Sequence, residues 1–251
     1  MAVMTESALG VDRLSFRYHG QSSPCLDIQS LEVNAGERFG LLGPNGAGKS
    51  TFMHLLCGIL QPVSGKIELF GQSLQKGKNE YRKLFGFVPQ DFSFYPELSA
   101  VENLEFYGAW YGMDRSSIRS GIESVLEVMG LTRTGNKPVR TFSGGMKRRV
   151  NLAIGVLHKP KILFLDEPTV GVDVQSGKAI IDFIKELNRG GTTLFYSSHQ
   201  MKEAQDLCER IALIDEGKIL ACGSMEKLIR DFNGENLEDV FLKLTGKEFR
   251  D

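Results

Sequence analysis

The segment Gly43-Pro44-Asn45-Gly46-Ala47-Gly48-Lys49-Ser50 fits the pattern GxxxxGK[ST], with Thr51 following, and constrains the chain more than any other feature. Glycines let such a loop curl until its backbone N–H groups converge on phosphate oxygens. The helix that follows turns its positive end toward the same anion. Lys49 can then reach the β- and γ-phosphates, and the Ser50 hydroxyl can ligate Mg²⁺. Gly43, Asn45, Gly46, Gly48, Lys49, Ser50 and Thr51 are accordingly the expected nucleotide contacts. The flanks supply the required context: the apolar run Phe39 to Leu42 reads as a strand, and Phe52 to Leu60 as a buried helix. A phosphate loop by itself says only that a nucleotide binds. A GTPase would add an NKxD base reader, and the nearest string, Asn136-Lys137-Pro138-Val139, lacks the aspartate.

A second signal lies downstream. Ile162-Leu163-Phe164-Leu165 is an apolar strand running into Asp166-Glu167. A buried parallel strand delivers its following residues to the carboxyl edge of the sheet, where ligands bind in open α/β folds. Two carboxylates there can divide the work, Asp166 holding Mg²⁺ largely through water and Glu167 orienting and polarising the attacking water.

The rest of the pattern predicts a largely parallel α/β fold, a P-loop NTPase core, with antiparallel β elements at the start and an inserted helical subdomain. Leu14, Phe16 and Tyr18 alternate with polar residues, and Leu26 to Val33, Ile67 to Phe70 and Phe85 to Val88 read as further strands. From Ser99 to His158 the pattern is helical. Ser99 and Glu102 have capping-box spacing, and Ile118, Ile122, Val125, Leu126 and Met129 form one stripe. Strands then alternate with helices through Thr193 to Ser197. Arg210 to Ile214 and Lys218 to Cys222 read as a hairpin. We expect a single domain over 1–251: core about 1–90 and 159–223, helical insertion about 91–158, short helices over 224–251.

Thirty basic against 31 acidic residues leave a net charge of −1, which weakens any reading as a nucleic-acid binder. No run of about 18 apolar residues spans a bilayer, and the start carries no signal-peptide pattern. Cys25, Cys57, Cys208 and Cys222 form no CxxC and read as small core residues in a reducing compartment. The expected location is cytoplasmic.

Between the two phosphate signals lies Thr141-Phe142-Ser143-Gly144-Gly145-Met146, before the helical run Val150 to Leu157. The order of phosphate loop, Gln90, Ser-Gly-Gly, Asp166-Glu167, Asp173 and His199 resembles the ATP-binding-cassette (ABC) ATPases over nearly the whole chain. The resemblance implies ATP and Mg²⁺ as ligands and head-to-tail packing of two such domains. Each ATP is then held between one chain's Lys49 loop and the other's Ser143, Gly144 and Gly145. A Ser-Gly-Gly at a helix start is itself an anion site, and Ser143 also suits a helix cap. Gln90 matches the glutamine that senses Mg²⁺ and the attacking water, or else is a buried structural residue. His199 matches the switch histidine at the γ-phosphate. Asp173 matches the aspartate that crosses the dimer interface, or simply caps the next helix. Tyr18 suits the aromatic that stacks on adenine or sits in a strand core, with Phe16 as the alternative stacker.

Phe142 and Met146 replace the usual leucine and glutamine of the Ser-Gly-Gly motif, and Val170-Gly171-Val172-Asp173 replaces Ser-Ala-Leu-Asp. With the ending Leu237 to Gly246, these variants resemble separate ATPase subunits of drug, polysaccharide and peptide exporters. Such a subunit implies an integral membrane partner, a second nucleotide-binding chain (a copy of itself or a different one) and a peripheral position on the inner membrane face. An importer ATPase, or a cassette acting on ribosomes or DNA, is the alternative. In the family the membrane partner docks just after Gln90, here Asp91 to Met113. Phe92, Phe94 and Tyr95 fall on a loop, where some are expected to be exposed, whereas Phe106 and Tyr107 are expected to pack the insertion. The basic run Lys147-Arg148-Arg149 reads as a solvated helix face.

Overall fold

Alternating buried and exposed side chains give the first seventy residues an antiparallel sheet. In the computed structural model, which describes residues 6–74 and 79–246, it contains β1 (Ser7–Phe16) and β2 (Leu26–Asn34). After β3 (Arg38–Leu42), which joins another sheet, come its outer strands β4 (Ser64–Leu69) and β5 (Gln72–Ser73), giving the order β2-β1-β4-β5. The second sheet combines β3 with β6 (Phe85–Val88), β7 (Ile162–Asp166), β8 (Thr193–Ser198), β9 (Arg210–Asp215) and β10 (Lys218–Ser224). Its order is β10-β9-β3-β8-β7-β6, and only the β9–β10 hairpin is antiparallel.

Strands β7 and β8 are buried along their whole length, which explains why they read as continuous apolar runs. Phe39, Leu41, Phe164 and Phe195 face one core, shared with the antiparallel sheet and with α1 (Lys49–Leu56). Leu42, Leu163, Leu165 and Tyr196 face the other. The register Leu42↔Ser198 and Asp166↔Ser197 sets the carboxyl ends of β3, β8 and β7 side by side. Everything that follows those three strands therefore meets at one edge.

After α2 (Asn79–Leu84), the helical stretch between Gln90 and His158 contains α3 (Ala100–Trp110), α4 (Arg115–Val128) and α5 (Gly144–Val156). Ser99 caps α3 in a full capping box with Glu102, as its spacing predicts. The stripe Ile118, Ile122, Val125 and Leu126 is the buried face of α4. Helix α5 lies so close on β6 that a Cβ on Gly86 would fall 2.0 Å from the Gly155 carbonyl oxygen. Beyond β7 come α6 (Val174–Arg189), α7 (Met201–Leu207), α8 (Met225–Asp231) and α9 (Leu237–Thr245).

Several expectations are corrected. Tyr18 lies past the end of β1 and is exposed, while Phe16 is core and cannot stack on a ligand. Helix α1 ends at Leu56 and does not run on to Leu60. Arg148 is buried, so Lys147-Arg148-Arg149 is no solvated face; its position on α5 turns it inward under the sheet edge. Phe106 is exposed rather than packed in the insertion, because α3 aims Leu104 inward and Phe106 outward, while on the loop before it Phe92 and Tyr95 are exposed, as expected of some of that loop, and Phe94 is buried. Cys222 is exposed on the edge strand β10, while Cys208 is core and Cys25 and Cys57 are half-buried.

Candidate functional site

The phosphate loop is shaped by glycines that no other residue can replace. A Cβ on Gly43 would sit 2.2 Å from the Ile214 carbonyl oxygen, and Gly48 has φ +104°. Gly48 forms the N-cap of α1 without a side-chain cap bond, so the first-turn N–H groups of that helix are left for a ligand. Lys49 Nζ donates to the carbonyls of Gly43 at 2.8 Å and Pro44 at 3.2 Å. Asn45 and Gly46 form the exposed tip; Ser50 and Thr51 are half-buried at the start of α1.

Asp166 and Glu167 leave β7 beside this loop. Both are buried, and Glu167 adopts φ +49°, in the left-handed region that a non-glycine residue enters only under constraint. Its Oε1 lies 3.4 Å from Lys49 Nζ and 3.0 Å from His199 Nδ1, the latter at an angle that makes no hydrogen bond. Burial lowers the Lys49 pKa, and the Glu167 carboxylate opposes that shift. Asp166 Oδ1 accepts a hydrogen bond from the Ser197 hydroxyl on the neighbouring strand. The two adjacent carboxylates thus point to different partners, one to the lysine and histidine, one to the sheet.

Gln90 follows β6, whose register Val88↔Leu165 brings β6 and β7 to the same edge of the sheet. It is exposed, which removes the buried structural alternative. Tyr18 shares a 2.9 Å hydrogen bond with the Thr51 hydroxyl, and Phe16 braces its ring edge-on at 4.9 Å. An aromatic face therefore stands exposed next to the phosphate loop.

Ser143 caps α5, accepting from the Met146 N–H at 3.3 Å, and Asp173 caps α6, accepting from the Ser176 N–H at 2.9 Å. Hydrogen bonds from Ser176 hold the Asp173 carboxyl below its ordinary pKa. The two capped turns pack on each other: a Cβ on Gly145 would lie 2.6 Å from Ser176 Oγ. Ser143, Gly144 and Asp173 are exposed, whereas Met146 packs against the apolar core. The structure thus gathers Lys49, Asp166, Glu167 and His199 at one place and sets Ser143, Gly144, Gly145 and Asp173 together at another.

Two side chains near the site went unread in the sequence. Arg148 donates to the Gln90 carbonyl, and its run of basic residues disguised it as a surface group. Glu203 on α7 accepts from Thr169 Oγ1 at 2.8 Å and from the Tyr196 hydroxyl, joining the turn after Glu167 to the strand before His199. A glutamate in a short polar helix carries no sequence signal of such a role.

Comparison with known proteins agrees with this architecture. The family described as "ABC transporter" matches residues 26–170. The linearmycin resistance ATP-binding protein LnrL of Bacillus subtilis (strain 168) is 42% identical over 208 residues, covering 83% of this chain and 67% of that protein. The Nod factor export ATP-binding protein I of Ralstonia nicotianae is 35% identical over 233 residues, covering 93% of this chain and 72% of that one. A solved structure described as the ATP-binding subunit of an ABC transporter superposes with a TM-score of 0.86 at 29% identity, covering 95% of this chain and 99% of its own. The chain belongs to the ABC transporter family, as an ATP-binding subunit whose ATPase activity is coupled to transport.

Proposed function

We propose that this chain binds ATP with Mg²⁺ between two ATP-binding chains packed head to tail, and that hydrolysis there drives export through a separate integral membrane subunit. The observation that carries the reading is Glu167, a buried carboxylate within 3.4 Å of Lys49 Nζ and 3.0 Å of His199 Nδ1. In this reading Lys49 neutralises the β- and γ-phosphates while the loop amides from Gly43 to Thr51 hold the rest. Tyr18 stacks on the adenine. Glu167 polarises the attacking water, with Gln90 and His199 orienting it and the γ-phosphate.

Ser50, Gln90 and Asp166 offer hard oxygen donors, and no cluster of three or more His, Cys, Asp or Glu side chains stands ready for a metal among the described residues. That set suits Mg²⁺, which takes most of its ligands from phosphate and water. When bound, the ion would neutralise charge on the β- and γ-phosphates.

Ser143, Gly144, Gly145 and Asp173 serve the partner's ATP in this arrangement. Support comes from the exposure of Ser143, Gly144 and Asp173 and from the second anion-type helix start that Ser143 caps. Intact Glu167 and His199 allow the second chain to be a copy of this one. Export is supported by the relative named for Nod factor export. No helix among the described residues is long and apolar enough to cross a membrane, and in this reading cargo moves through a separate integral membrane chain. The exposed Phe92, Tyr95, Phe106 and Trp110 offer an aromatic face for that partner on the inner side of the membrane.

Glu167→Gln tests the core of the proposal. It keeps shape and hydrogen bonding but removes the base, so hydrolysis falls by about 10²–10⁴-fold. ATP then holds two chains together, visible as a dimer on size exclusion. A variant that hydrolyses ATP like the wild type overturns the reading.

A further inference from the structure

Arg148 sits on α5, one turn beyond the Ser143 cap, and is 4% exposed. Its guanidinium spans two segments remote in sequence. Nη1 donates to the Gln90 carbonyl at 2.7 Å and the Pro89 carbonyl at 3.3 Å, and Nη2 donates to the Val170 carbonyl at 3.0 Å. The guanidinium carbon also lies 5.0 Å from the centre of the Phe92 ring, which stacks on Phe94 at 5.1 Å. Burying a guanidinium is unfavourable unless its donors find acceptors in fixed places; here both terminal nitrogens reach main-chain carbonyls, while Nε is buried without a partner.

The loop after β6 has a second anchor. Asn151, fully buried one turn further along α5, donates to the Pro89 carbonyl at 3.1 Å and accepts from the Ser93 N–H at 3.0 Å and its hydroxyl at 2.8 Å. Arg148 alone of these two residues reaches the Val170 turn. That turn leads from Glu167 to Asp173, whose carboxylate caps α6.

We propose that Arg148 is a positioning residue that ties the Gln90 loop and the Val170–Asp173 turn to the Ser143 helix. The water-sensing glutamine of one site and the residues offered to the partner's site then move as one body. The inference rests on the shared-site reading, since only there do both ends of the tie serve hydrolysis. The planar fork gives each segment its own nitrogen, Nη1 for the Gln90 loop and Nη2 for Val170, whereas a lysine would have to serve both from a single nitrogen. Phe92 lies against the same guanidinium, so pressure on the exposed aromatic face reaches the tie directly.

The test pairs exchange with kinetics in Arg148→Met and Arg148→Lys. Without nucleotide, the Val170 and Val172 amides, bonded within their turn at 3.2 and 3.4 Å, should exchange about tenfold faster in Arg148→Met. The Ser93 amide, held by Asn151, should not change. Exchange that rises equally at Ser93, or nowhere, overturns the tie whatever the ATPase does. Kinetically, both variants should lose about ten- to a hundredfold in kcat with KM for ATP unchanged, because misplacement, not binding, is affected. Wild-type kcat in Arg148→Lys shows that charge alone suffices and overturns the two-segment role. A fall in kcat matched by a rise in KM overturns it as well. Glu167→Gln run in parallel isolates the underlying reading: if it hydrolyses ATP like the wild type, the shared-site proposal fails while the exchange result still decides the tie.

Discussion

Lys49 and Glu167 are both 5% exposed, and each limits what can be done to the other. Removing one partner of a buried ion pair leaves an uncompensated charge, typically destabilising by about 3–5 kcal/mol. Lys49→Ala should therefore do two things at once: lose most ATP affinity and lower the melting temperature of the nucleotide-free protein. Adding Glu167→Gln to it neutralises the stranded carboxylate. The double variant should regain much of the lost melting temperature, on the order of several degrees for a chain of this size, yet remain unable to bind ATP. Thermal melts with and without ATP on the three variants read both effects. A double variant as unstable as Lys49→Ala would mean that the lysine stabilises only through its bonds to Gly43 and Pro44.

At the scale of elements, the seat of α5 on β6 controls where Ser143 and Arg148 stand. Gly86 and Gly155 let the two backbones touch; a Cβ on Gly155 would also meet Val88 Cγ2 at 2.7 Å. Gly86→Ala should force the helix off the strand and cost about 1–3 kcal/mol, as overpacking does, because the atom it meets is backbone and cannot rotate away. Urea denaturation checks the figure. Because β6 also carries Gln90, hydrolysis should fall more than ATP binding. A glycine inside an apolar strand does hint at a close backbone approach, but its partner 69 residues later is visible only in the folded chain.

Across the whole molecule, the aromatic face divides into core and surface. Tyr95 and Phe106 meet edge-on at 5.1 Å and are 48% and 45% exposed, while Phe94 beneath Phe92 is core. Tyr95→Ser with Phe106→Ser should abolish co-purification with the membrane subunit and leave the melting temperature and basal ATPase activity near wild type. Co-purification that survives moves the docking surface elsewhere on the chain. Phe94→Ser is the contrasting control, since it opens a cavity and should destabilise the protein.

The chain's sequence determined its membership, its order of elements and the candidate groups for phosphate. Those follow from short spacings: a glycine loop between an apolar strand and a helix, two carboxylates at a strand end, Ser99 three residues before Glu102. Local spacing is enough because backbone geometry converts it directly into position. Where no periodic stripe marks the inner face, tertiary structure alone decided which side chains turn inward. Phe94 and Tyr95 are neighbours in one loop, yet only the packing of α3 and α5 around it buries the first and exposes the second. Lys147, Arg148 and Arg149 look alike in the sequence, and only the arrival of Gln90 and Val170 beside α5 makes one of them a buried tie. Such contacts join segments 22 and 58 residues apart, and no local pattern encodes where two distant carbonyls will converge.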